Sequence, residues 1–78
     1  MKFDDTFLIN LVHARMPYGR FKNRYITDIP GFYLEWLNRR GFPKGDLGQY
    51  LSTMHEIRIN GLEDLLRPII KKERKQRY

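Results

Sequence analysis

Eleven consecutive residues, Arg15-Met16-Pro17-Tyr18-Gly19-Arg20-Phe21-Lys22-Asn23-Arg24-Tyr25, carry four cations, three aromatic rings and no acid. Arg and Lys donate to phosphate oxygens, and flat rings stack on unpaired bases, so this mixture suits contact with nucleic acid. Arg15, Arg20, Lys22 and Arg24 are the candidate phosphate contacts, and Tyr18, Phe21 and Tyr25 the candidate stacking rings. A folding role competes with that reading. Alternate side chains of a strand face the core, which would bury some of these rings and leave the cations as an ordinary solvated face. A second feature is Lys44-Gly45, within Phe42-Pro43-Lys44-Gly45-Asp46-Leu47-Gly48, where a helix N-terminus could hold an anion. The segment lacks the Gly-Lys-Ser/Thr ending of a phosphate loop. A plain connection also accounts for it: Phe42 packs inward, Pro43 blocks helix continuation and Asp46 caps the next helix.

Other chemistry is hard to assemble. His13 and His55 are far apart and there is no Cys, so no metal site follows. Ser52, His55 and Glu56 are close in sequence but point in different directions around a helix. The carboxylate pairs Asp4/Asp5 and Glu63/Asp64 sit at expected helix starts, where the helix dipole favours them. The expectation is a non-catalytic protein with no cofactor and no metal.

The elements that position the basic stretch follow from spacing. Phe7, Leu8, Leu11 and Val12 share one helical face over 4–14, with Asp4, Asp5 or Thr6 as the cap. Pro17 ends that pattern. Strands at about 16–21 and 24–28 would form a hairpin around Lys22-Asn23, because Asn tolerates the left-handed turn conformation. Phe32, Tyr33, Trp36 and Leu37 predict a helix over 30–40 with Trp36 as a core anchor, closed by Gly41. Leu47, Tyr50, Leu51, Met54 and Ile57 predict a third helix over 46–60. Leu62, Leu65 and Leu66 suggest a short fourth, bent or stopped by Pro68. The result is an α+β expectation: one small domain, a β-hairpin packed on three to four helices, in the order α-β-β-α-α-α.

Seventy-eight residues allow one domain, which buries only roughly 60–65% of its unfolded surface. The net charge of +6 favours polyanionic partners. Residues 71–78 supply five cations and one acid, so +4 of that charge lies in a basic C-terminal tail following a globular 1–70. No apolar run is long enough to span a membrane. Met1-Lys2-Phe3-Asp4-Asp5 has acids where a signal peptide needs an apolar run, which predicts a cytoplasmic location.

Met16 to Arg24, Pro30 to Trp36, Gly41 to Gly48 and Asn60 to Glu63 together form four blocks. Their order and content resemble a family of small bacterial proteins described as putative quorum-sensing-regulated virulence factors. Asn23 stands where the family usually has Gly, and both residues fit a left-handed turn. The family's label concerns regulation and implies no reaction. Residues 16–37 also resemble a short C-terminal module of some proofreading-type exonucleases, which implies nucleic-acid contact but imports no catalytic carboxylates. Two functions are therefore carried forward. One is a nucleic-acid-binding or accessory module; the other is a protein-interaction module or homodimer.

Overall fold

A computed structural model describes residues 4–74. Among them are four α-helices: α1 Asp5–His13, α2 Gly31–Arg40, α3 Gly45–Ile59 and α4 Arg67–Glu73. Short 3-10 turns cover Ile26–Asp28 and Glu63–Leu65. None of these helices is long and apolar enough to cross a membrane.

Local chemistry explains the helix limits. The Asp4 carboxylate accepts from the Phe7 amide at 2.8 Å, satisfying one of the orphan donors of the first turn of α1. Gly41, at φ 105°, ends α2. The cap of α3 is Lys44, whose side chain makes no capping bond; Asp46, expected as that cap, lies in the first turn instead. Pro68 does not stop a helix. It sits at the start of α4, where its missing N–H costs nothing.

The core forms between two helix pairs, α2 with α3 and α1 with α4. Leu8, Leu11 and Val12 of α1, Leu34 of α2, Leu51, Met54 and Ile57 of α3, and Leu66 are buried. Met16, Ile26 and Ile29 enter the same core from the segment joining α1 to α2. A buried aliphatic side chain contributes about 2 kcal/mol, so these three anchor the connection on both flanks of the basic stretch.

The structure corrects the α+β expectation. The described residues contain no strand and no hairpin; the only pairing is a single antiparallel bridge, Arg15 with Tyr25. Around it, the Met16 amide donates to the Arg24 carbonyl and the Asn23 amide to the Met16 carbonyl, at 2.9 and 2.8 Å. The Ile26 amide donates to the Ala14 carbonyl at 3.0 Å. Above this neck the chain turns instead of extending. Lys22 donates to the Gly19 carbonyl and Arg24 to that of Phe21, as successive tight turns. Pro17 has no N–H to continue a ladder, and Gly19, inside the expected first strand, has a φ of 84° that an extended strand does not allow. The stretch is a closed loop on an all-helical domain.

A further expectation changes. Trp36 is not a core anchor: α2 is rotated so that Leu34 is buried, with Tyr33 and Leu37 half-buried, while Phe32 and Trp36 face out. The tail expected from Lys71 begins inside α4, which runs to Glu73, and residues 75–78 of it lie outside the described residues, as do residues 1–3.

Candidate functional site

The loop and α2 share one exposed aromatic face. Phe21, half-buried, meets Tyr33 edge-on with ring centres 4.9 Å apart and Phe32 at 6.4 Å. Tyr33 in turn stacks on Trp36, 5.4 Å between centres and 26° between planes. The outer rings stay in solvent: Phe32 is 63% and Trp36 46% exposed. Large rings left open side by side on so small a chain are the informative kind of exception to burial.

Arginines lie over these rings. The Arg20 guanidinium carbon is 5.4 Å from the Phe21 centre and 5.8 Å from that of Phe32. Arg24 lies 5.9 Å from Phe21, and Arg40, at the end of α2, lies 4.8 Å from Trp36. Among the described residues, none of Arg20, Lys22, Arg24 or Arg40 has a carboxylate partner, whereas Arg39 pairs with Glu35 and Arg67 with Asp64. The face therefore combines open rings with unneutralised positive charge.

The sequence candidates divide into two groups. Arg20, Phe21, Lys22 and Arg24 belong to the loop beside α2, and Phe21 links the loop to that helix. Arg15 and Tyr25 instead form the neck. Arg15 donates to the Tyr25 hydroxyl at 2.9 Å and to the Asn23 carbonyl at 3.1 Å, with its guanidinium 4.2 Å from the Tyr25 ring centre. Arg74 lies over the same ring at 3.5 Å. Its guanidinium also donates to the Val12 carbonyl at the end of α1 and to the Thr27 hydroxyl at 2.9 Å. These bonds make Arg15, Tyr25 and Arg74 a brace. Tyr18 is 54% exposed, and no ring partner is found for it among the described residues. Lys44 and Gly45 are exposed at the start of α3 and join no other candidate. Sequence reasoning missed Phe32 and Trp36 as surface residues. The available signal was that α2 carries apolar residues on two adjacent stripes, only one of which a small domain can bury.

Glu35 and His55 lie behind this face, between α2 and α3. His55 Nε2 and the Glu35 carboxylate are 3.1 Å apart, and Arg39 reaches the other carboxylate oxygen at 3.2 Å. The hydrogen bond from His55, then that from Arg39, holds the Glu35 carboxyl below the usual carboxylate range. His13 and Glu73, 3.0 Å apart, make a similar link between α1 and α4. Among the described residues no group of three or more His, Cys, Asp or Glu could hold a metal ion.

The model of one protein family, described as "Putative quorum-sensing-regulated virulence factor", matches residues 4–69. The chain belongs to that family. It is also similar to the uncharacterized protein YpeB of Escherichia coli, in strain K12 and in O157:H7. In both cases it is 36% identical over 63 residues, covering 80% of this chain and 88% of the relative. No solved structure gives a significant match. The likeness of residues 16–37 to an exonuclease module finds no support in these comparisons. The family match does contain the whole loop and all of α2, so the aromatic face lies in the shared part of the chain.

Proposed function

We propose that this protein is a non-catalytic nucleic-acid-binding module whose contact surface is the loop and the outer stripe of α2. One observation carries the reading: Phe32 and Trp36 stand open on one helix, with Arg20 and Arg40 over them and no carboxylate to neutralise those cations. An exposed cation–π contact is worth about 0.5–1 kcal/mol, whereas a base stacked on a ring is worth about 1–3 kcal/mol. A base can therefore displace the guanidinium, which then turns to a phosphate. The exchange gives each arginine a partner in both the free and the bound protein.

Titration with labelled oligonucleotides at two salt concentrations tests this. Binding should weaken steeply with added salt, because phosphate contacts release counterions. The Arg20→Ala, Arg24→Ala double variant should bind more weakly and show a shallower salt dependence, by roughly one unit of slope for each phosphate no longer neutralised. The tail control is truncation after Arg74, since cutting after Ile70 would remove the Tyr25 brace together with the tail cations. Absence of binding at low salt would refute the reading. A concentration-dependent dimer that loses association on Phe32→Ala would assign the same face to protein contact instead.

A further inference from the structure

The spacing of the open rings points to a narrower ligand than nucleic acid at large. We propose that the face takes single-stranded nucleic acid, with neighbouring bases unstacked from each other and seated on Phe32 and Trp36; this rests on the nucleic-acid reading above.

Phe32 and Trp36 are four residues apart on α2, which separates their Cα atoms by about 6 Å along the helix axis. Bases in a stacked strand rise by only about 3.4 Å per nucleotide. Adjacent bases seated one on each of two side chains anchored this far apart no longer stack on each other. In a duplex each base is paired and covered on both faces, so opening a step costs a few kcal/mol. A single strand opens readily, and an aromatic side chain replaces the lost neighbour.

The protein's own ring contacts support the same ligand. Tyr33 stacks on Trp36, so a base reaches this ring by displacing the Arg40 guanidinium that lies 4.8 Å from its centre. Phe21 meets Tyr33 edge-on, so the loop packs against the platform. Arg20, Phe32, Tyr33 and Trp36 line an open groove of about 520 Å³. Sites of roughly 300–1,000 Å³ accept small organic ligands, and a single extruded nucleobase fits within that range. Arg20 lies at the Phe32 side and Arg40 at the Trp36 side, flanking the two base positions with charges for the intervening phosphates. Stacking of this kind is tolerant of sequence, because every base has a flat face.

The test uses the full-length chain with three ligands of equal length: a single strand, an abasic strand with the same phosphates, and a blunt duplex. Trp36 is the sole tryptophan, so its fluorescence reports on the site directly. The single strand should bind about tenfold more tightly than the abasic strand and quench Trp36 fluorescence, as expected for loss of a stacked base. Phe32→Ala should weaken the single strand by about tenfold and leave abasic binding unchanged. Phe32 is solvent-exposed, and an unchanged melting temperature will confirm that this variant folds. Equal affinity for the three ligands, or an equal effect of Phe32→Ala on all of them, overturns the single-strand assignment while leaving phosphate-driven binding intact. Failure of all three to bind overturns both readings.

Discussion

The Arg74 guanidinium stacks 3.5 Å from the centre of the Tyr25 ring, joining the end of α4 to the neck of the loop across 49 residues of sequence (74 minus 25). It also donates to the Val12 carbonyl and the Thr27 hydroxyl, so one side chain ties together α1, α4 and the 3-10 turn before α2. Arg74→Ala should lower stability by about 2 kcal/mol, the scale of charged hydrogen bonds lost to partly buried acceptors. Arg74→Lys should recover only part of this, because an ammonium cannot stack and fork at once. Urea unfolding of the three proteins measures both effects.

Gly48 lies within α3, where Ala normally stabilises a helix by about 1 kcal/mol. Here the sign reverses, because an added Cβ would overlap the Pro43 carbonyl. Gly48→Ala should destabilise by about 3 kcal/mol, at the upper end of overpacking costs. A thermal melt decides it: a variant as stable as the parent would contradict the close approach of Pro43 to α3.

Asn23 holds φ at 72° and is the only non-glycine residue with positive φ among those described. Asn23→Gly should be nearly neutral, whereas Asn23→Val should cost about 1–2 kcal/mol because a branched Cβ clashes in that conformation. Unfolding midpoints of the pair should differ accordingly, with the loop neck the first region to lose amide protection in the valine variant.

Glu35 gives a pH dependence of defined sign. Its folded-state pKa is lowered, first by the His55 hydrogen bond and then by Arg39. The stabilisation is therefore full above the ordinary glutamate value of about 4.3 and is lost as pH falls through the lower folded value. Melting temperatures across this acid range should fall less steeply for Glu35→Gln than for the parent. Equal slopes would show that the bond makes no difference between the folded and unfolded protein.

Much of the helical frame was legible. The start of α1 follows from Asp4, and the ends of α2 and α3 from Gly41 and Asn60, each acting through local backbone chemistry. The left-handed Asn23 was legible for the same reason. The hairpin was not, because strand pairing depends on a partner's N–H and C=O groups. Pro17 and the left-handed Gly19 withdraw the stretch from pairing beyond Arg15 and Tyr25. The exposed face was missed because Phe32 and Trp36 form one stripe of α2, and Tyr33 and Leu37 another, about 100° away. Both are apolar, and only packing against α3 decides which is buried. Arg74 was hidden for a different reason: in a run of cations, nothing local marks the one whose partners lie far away in sequence.

We propose above that the loop and the outer stripe of α2 form one nucleic-acid surface. Titrating isotope-labelled protein with a short single strand, and following every backbone amide and the Trp36 indole N–H by NMR, tests it most directly. Shifts concentrated at residues 18–24 and 32–40, with a large shift of the indole, are the expected result. Shifts centred instead on the exposed apolar residues Ile59, Leu62 and Leu65, or no shifts at low salt, would contradict it.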